Sequence, residues 1–365
     1  MSVDVLIRGD GAVGRVLALA LATQGLRVAL RGRSQPRGPD IRAYALNAAS
    51  QTLLAQLRVW DGLPADARTA VADMRVQAGS GELHFSAWQA QAQELAWIVD
   101  AAALDEQLDR ALDFAPHVQR VDTEPPHQLL ALCEGREAAS RAALGVGVQQ
   151  RAYGHDALAT RVLAELPHQG CAWQWFSSTG EFLALLPIDR PEPGRSYAVV
   201  WSQPAARAAE RRQQPPAEFE AELSALTGQR LQLVAERDAW PLRLLRAEQL
   251  CGDGFVLLGD CAHLVHPLAG QGLNLGLADV AELARVLRQR EPWRRLGDAK
   301  LLRRYERGRS ADTWLMGELT DALWVGLTQS PDWGQRLAGE GLKLVNAVSP
   351  VKRWLSQRAM GSPSR

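Results

Sequence analysis

The run Gly9-Asp10-Gly11-Ala12-Val13-Gly14 constrains this chain more than any other short feature. It is a GxGxxG set between a β-rich run, Val3 to Ile7, and an apolar helical stretch, Val16 to Thr23, with Gly25 and a second β-run, Leu26 to Leu30, beyond. Strand, tight turn, helix and strand in that order predict a parallel βαβ unit. Its glycines let backbone N–H groups at the helix N-terminus approach a pyrophosphate. A plain strand-to-helix turn with no ligand also fits the glycines. A dinucleotide fold of this kind usually ends its second strand on a carboxylate for a ribose hydroxyl, whereas this chain has Arg31-Gly32-Arg33 there. Two arginines suit a 2′-phosphate, so an NADP-dependent reductase stays among the readings.

Later in the chain Phe255-Val256-Leu257-Leu258-Gly259-Asp260 reads as a strand ending in Gly-Asp. It is followed by Cys261-Ala262-His263-Leu264-Val265-His266-Pro267-Leu268-Ala269-Gly270-Gln271-Gly272-Leu273-Asn274, a glycine-rich turn into a helix. Asp260 offers a carboxylate to the hydroxyls of a polyol, and backbone N–H groups around Gly272 to Asn274 face an anionic oxygen at a helix N-terminus. His263 and His266 fit hydrogen-bonded structural groups at least as well as an acid or base.

Between these motifs, Ala43 to Leu57 and Val99 to Leu112 have helical texture. From Tyr153 the pattern becomes alternating β segments, Ala172 to Phe176, Phe182 to Leu186 and Tyr197 to Trp201, with turn clusters between them. That pattern predicts an antiparallel sheet. The 41 basic and 41 acidic side chains cancel, so no field draws in a nucleic acid. Cys133, Cys171, Cys251 and Cys261 lack metal-site spacing and are too few for a disulfide framework, which fits reduced thiols in a cytoplasm. No run of 18 apolar residues or signal peptide is read.

With these residues in view, the chain closely resembles the flavoprotein aromatic hydroxylases, in their ubiquinone-biosynthesis (2-polyprenylphenol-type) branch. The resemblance runs almost end to end, through Arg42 to Asn47, Trp97 to Asp100, Leu183 to Pro187, Trp240 to Leu242, Gly259 to Asp279 and Tyr305 to Arg307. It implies an α/β (α+β) fold, a Rossmann-like FAD-binding domain with an inserted antiparallel-sheet substrate domain and a helical C-terminal tail. The discontinuous FAD domain is expected over residues 1–75, 98–152 and 240–300, the substrate domain over 76–97 and 153–239, and the helical region over 301–365.

The same resemblance implies FAD as cofactor, NAD(P)H as co-substrate and dioxygen as oxidant. A flavin C4a-hydroperoxide would pass one oxygen to an electron-rich phenol or quinol, a polyprenylated ubiquinone precursor. Gly9, Gly11, Ala12, Val13, Gly14, Arg33, Arg42, Glu134, Gly259, Asp260, Gly270, Gly272, Leu273 and Asn274 are the implied cofactor residues. Asp260 holds the ribitol, the Gly272-Leu273-Asn274 backbone faces the flavin N1–C2=O edge, and Arg42 stands on the early helix near the phosphates. His266, Pro267 and Gly272 lie beside the reacting ring, and Trp175, Trp201 and Leu185 wall the substrate. For any one of those three taken singly, an ordinary half-buried sheet with an aromatic core is the better account.

The chain departs from the family at several points. Glu134-Gly135 stands for the further Asp-Gly motif, the segment Val121 to Leu132 is short, Arg8 and Asp10 replace apolar or small residues, and Gly32 replaces the ribose carboxylate. Asp10 beside a pyrophosphate would repel it, so Arg8 is expected to pair with Asp10, and Gly32→Glu is expected to tighten FAD binding. A catalytically silent assembly partner is the other reading these departures motivate. A long apolar substrate suggests peripheral contact at the inner face of the membrane, through the tail around Lys352, Arg353 and Trp354, or a biosynthetic complex.

Overall fold

In the computed structural model, which describes residues 2–32, 40–79, 81–136, 139–177, 179–264 and 271–310, the first βαβ unit forms as its glycines require. The strands Val5–Arg8 and Val28–Arg31 pair in parallel, in register from Val5↔Val28 to Arg8↔Arg31, around the helix Ala12–Ala22. They belong to a six-stranded sheet whose order is Cys251–Gly252, Phe255–Leu257, Leu129–Leu132, Val5–Arg8, Val28–Arg31, Val118–Arg120. Apart from the antiparallel Cys251–Gly252 edge the pairs are parallel. The central strands are continuously apolar, as expected for a parallel sheet covered on both faces: Val5, Leu6, Ile7, Leu129, Ala131, Val256 and Leu257 are fully buried.

A nine-stranded sheet forms the second layer. The long strand Val148–Ala164 pairs antiparallel with Ser196–Pro204 and with Asp238–Ala247, and the order continues through Phe182–Ile188 and Cys171–Phe176 to Asp73–Ala78 and Gly81–Ser86. Asp238–Ala247 therefore runs in this sheet, although residues 240–247 are expected with the nucleotide domain. Its pairing with Val148–Ala164, from Val148↔Ala247 to Ala159↔Asp238, fixes it there. A three-stranded sheet of Ala43–Leu46, Ala96–Asp100 and Arg68–Val71 completes the strands.

Strand pairing also shortens the early helix. Ala43–Leu46 is extended because it pairs with Ala96–Asp100, and the helix Ala48–Gln56 starts only after Asn47, whose side chain accepts the Ser50 N–H. Arg42 consequently precedes a strand and does not stand on a helix. Asp100 likewise ends a strand and caps the helix Ala101–Asp113 by accepting from Ala103 N at 2.8 Å.

The two faces of the nine-stranded sheet have different neighbours. On one face Leu183, Leu185, Tyr197, Val199 and Trp201 pack under Phe219 and Leu223 of the helix Pro216–Thr227. On the other, Ile188 and Ala198 pack with Val71 and Ile98 of the three-stranded sheet. Farther along that second face lie Tyr153, Phe182, Ala184 and Leu242, with Phe176, Leu186, Val200 and Leu244 only partly buried. Among the described residues no helix is long and apolar enough to cross a membrane.

Candidate functional site: a nucleotide cradle between two glycine turns

The first glycine turn is built by close backbone approach. Gly9 has φ +105°, and a Cβ there would lie 2.2 Å from the Cys133 carbonyl oxygen, while one on Gly14 would lie 1.9 Å from the Gly9 carbonyl oxygen. Only glycine fits either position. Gly11, by contrast, would carry its Cβ into open space. It is the N-cap of Ala12–Ala22, no side chain caps that helix, and it is exposed. Uncapped N–H groups at an accessible helix start form a cradle that suits an anionic diphosphate.

Val13 joins this turn to the second motif. A Cβ on Gly276 would sit 2.5 Å from Val13 Cγ2, and one on Gly259, where φ is +61°, would sit 3.2 Å from the same atom. The missing side chains at 259 and 276 are the slot that receives Val13. Asp260 is thereby held beside the pyrophosphate cradle. Its carboxylate is half-buried, and burial raises its pKa from the ordinary value against the pull of His263, Arg136 and Arg42.

Asp279 fixes the strand end from behind. Its Oδ2 accepts from Gly259 N at 2.9 Å and lies 2.7 Å from His263 Nε2, and its Oδ1 accepts from Arg309 Nε at 2.7 Å. Burial alone would raise its carboxyl, but His263 and Arg309 carry it below the ordinary value. His263 is thus a structural partner. Tyr305, from the helix spanning residues 299–310, donates to the Leu257 carbonyl at 2.8 Å, and the buried Arg141 donates to the Cys261 carbonyl at 2.8 Å. Asp279 and Tyr305 lie in segments that carry the family resemblance, whereas Arg309 and Arg141 belong to no motif read from the sequence. Their role follows only from the tertiary fold.

The remaining site residues fall into three groups. Gly272 and Leu273 are half-buried at the start of the helix Gln271–Arg288, and a Cβ on Gly272 would meet nothing within 4 Å. The Asn274 side chain faces inward, donating to the Ala45 carbonyl and accepting from Asn47 N and Ser50 Oγ. Arg42 is ion-paired to Asp40 at 2.6 Å and lies over the rings of Tyr44 and Trp240, with Tyr44 pushed up to about 12 by burial. Arg33, His266, Pro267 and Gly270 lie outside the described residues.

Two expectations are corrected. Arg8 binds Glu124 at 2.6 Å and Ser140 Oγ at 2.8 Å, not Asp10, and Ser140 in turn donates to Glu134 Oε1 at 2.9 Å. Arg31, one of the two arginines that a 2′-phosphate reading would use, also gives its guanidinium to Glu124. Trp201 and Leu185 are core, not pocket. Trp201 is 1% exposed, donates to Glu181 at 3.1 Å and has the Arg211 guanidinium 3.8 Å from its ring centre, under the helices Ala205–Gln213 and Pro216–Thr227. Trp175 faces the same side, stacked on Trp173 with ring centres 5.7 Å apart. Strand alternation puts all three on the helix-covered face.

A glycine-lined helix start beside a strand that ends in Gly-Asp defines a flavin-nucleotide class of site, and the comparisons agree. The chain belongs to the FAD-binding aromatic monooxygenase family: residues 118–320, more than half of it, match the family model described as FAD binding domain. It is 32% identical to the ubiquinone hydroxylase UbiL of Rhodospirillum rubrum, over 98% of this chain and 90% of that protein. It is 28% identical to the 3-demethoxyubiquinol 3-hydroxylase of Escherichia coli, over 98% of both. Among solved structures, the p-nitrophenol 4-monooxygenase PnpA of Pseudomonas putida superposes with TM-score 0.78 at 16% identity, covering 100% of each chain. Pseudomonas aeruginosa PqsL gives 0.77 at 19% identity, over 93% of this chain and 100% of that one. At such identities the superpositions show the fold alone.

Proposed function

We propose that the protein is an FAD-dependent monooxygenase that hydroxylates an electron-rich phenol or quinol ring, with a polyprenylated ubiquinone precursor as substrate and NAD(P)H as electron donor. The observation that carries the reading is the Val13 joint, which sets the uncapped helix start at Gly11 against the Gly259-Asp260 strand end. Dinucleotide sites that use only the first turn have no need of the second. The Rhodospirillum relative, a ubiquinone hydroxylase, and the Escherichia relative, a 3-demethoxyubiquinol 3-hydroxylase, support the substrate class.

Bound FAD supplies the activation of dioxygen; the chain's residues bind, orient and exclude water. Backbone N–H groups at Gly11 and Ala12 hold the pyrophosphate, and Asp260 accepts from ribitol hydroxyls. The backbone at Gly272 and Leu273 serves the flavin ring edge. The substrate wall is the second face of the nine-stranded sheet, where Phe176, Leu186, Val200 and Leu244 remain partly uncovered. An aliphatic and aromatic wall of this kind desolvates the ring to be hydroxylated and suits an isoprenoid tail. A substrate so apolar resides in a membrane, so the protein works at the inner membrane surface or in a biosynthetic complex.

Two measurements test the reading. Gene deletion should cause a polyprenylated precursor lacking one ring oxygen to accumulate, and an unchanged quinone pool would refute the substrate. The purified flavoprotein should couple NAD(P)H oxidation to ring hydroxylation, and oxidation that yields only peroxide with every phenol and quinol would refute the monooxygenase.

A further inference from the structure

Gly32 and Asp10 are two halves of one arrangement. A βαβ nucleotide site normally ends its second strand on a carboxylate that accepts from the adenosine ribose, and here that position is Gly32. Its φ lies outside the left-handed region, so the backbone does not demand glycine. Space does. A Cβ on Gly32 would lie 2.6 Å from Asp10 Oδ2, 2.7 Å from Asp10 Cγ and 3.0 Å from Asp10 Cβ.

The sheet explains the meeting. The first two strands pair in register up to Arg8↔Arg31, and Gly9 N donates to the Arg31 carbonyl at 2.9 Å, so the residues leaving the two strands are side by side. Asp10 follows Gly9 and directs its carboxylate at Gly32, where the side chain of residue 32 would begin. A carboxylate in the glycine turn need not oppose the pyrophosphate when it is aimed at the neighbouring strand end.

We infer that Asp10 supplies the ribose-binding carboxylate for the adenosine half of the cofactor, replacing the residue at the end of the second strand, and that Gly32 is the space it occupies. The inference rests on the FAD reading above. A carboxylate at that point accepts from the vicinal hydroxyls of a ribose and repels a 2′-phosphate, so it selects an unphosphorylated adenosine. The same geometry sets a condition on any gain in FAD binding from Gly32→Glu alone: the new side chain would start where the Asp10 carboxylate lies, and that carboxylate must turn aside to admit it.

The test uses the full-length apoprotein and three probes, FAD, FAD lacking the adenosine 2′-hydroxyl, and FMN, with affinities read by flavin fluorescence quenching. Asp10→Ala should weaken FAD binding about ten- to a hundredfold, the range for a hydrogen bond to a charged group, and leave FMN binding unchanged. Gly32→Glu alone should also weaken FAD, while Asp10→Gly combined with Gly32→Glu should recover most of the affinity. Wild type itself should prefer FAD to its 2′-deoxy form, which keeps the test decisive if a variant misfolds. Equal wild-type affinity for those two, or Asp10→Ala losses equal for FAD and FMN, would overturn the assignment. Wild type that takes up no flavin overturns the functional reading itself, a different result from wild type that binds FAD without regard to residue 10.

Discussion

Asp279 holds Gly259 through a 2.9 Å hydrogen bond from the Gly259 backbone N–H, and its carboxylate also lies 2.7 Å from His263 Nε2 and accepts from Arg309 Nε. Removing the carboxylate takes from the buried Arg309 guanidinium its 2.7 Å acceptor and from the strand end the acceptor of Gly259 N–H. Asp279→Ala should therefore destabilise the protein by about 3–5 kcal/mol and lower its flavin content, as measured by thermal melting and absorbance.

The pH dependence of that network has a definite sign. The Asp279 carboxyl lies below its ordinary value in the folded chain, so its contribution is full above the unfolded value of about 4 and is lost as pH falls through the lower folded value. Melting curves of wild type and Asp279→Asn, taken downward from pH 7, should converge only in that acid range. Convergence near neutrality would contradict the assignment.

Asp260 titrates the other way. Burial raises its carboxyl from the ordinary value, and in the proposed role a ribitol hydroxyl would donate to the charged form. FAD affinity should be flat at neutral pH and fall on acidification, with a midpoint above the usual carboxylate value of about 4. Asp260→Ala should remove this dependence and cost roughly 1.5–3 kcal/mol of FAD binding, read as flavin lost on gel filtration of a folded protein.

The slot for Val13 allows a size-swap experiment. Gly276→Ala puts a methyl 2.5 Å from Val13 Cγ2, an overpacking that should lower unfolding free energy by about 1–3 kcal/mol. Combining it with Val13→Ala should restore most of the loss in denaturant titrations.

Trp201→Ala should destabilise by about 3–5 kcal/mol, because it empties the core under Phe219. Phe176→Ala and Leu244→Ala should instead keep most of the melting temperature and raise peroxide release per NAD(P)H consumed. A Trp201→Ala protein with wild-type stability and impaired coupling would place the pocket on the helix-covered face after all.

Both glycine turns were legible in the sequence because each is a local device: strand, turn and helix lie within about twenty residues, and the spacing itself encodes the close approach. What lay beyond reach depended on distant partners. Ala43–Leu46 has helical texture but is a strand, since Ala96–Asp100 offers it a ladder. Alternation in Phe182–Ile188 and Ser196–Pro204 reveals two faces without saying which one the later helices cover, and only the packing of Phe219 and Leu223 shows that Leu185 and Trp201 lie on the covered one. Asp10 was read against the pyrophosphate, and Arg8 against Asp10, because only the neighbouring strand shows where each side chain turns.

Residues 183 and 185 point under the helices, while 182, 184 and 186 face the opposite way. Odd positions of this strand therefore answer to the helices, while the even positions are buried on the other face at 182, 184 and 188 and leave only Leu186 partly uncovered. The chain has, in effect, two separable vocabularies interleaved at single-residue spacing. On the proposed substrate wall, a library confined to Leu186, Phe176, Val200 and Leu244, with Leu185 and Trp201 kept fixed, should change which ring is accepted and leave most members folded.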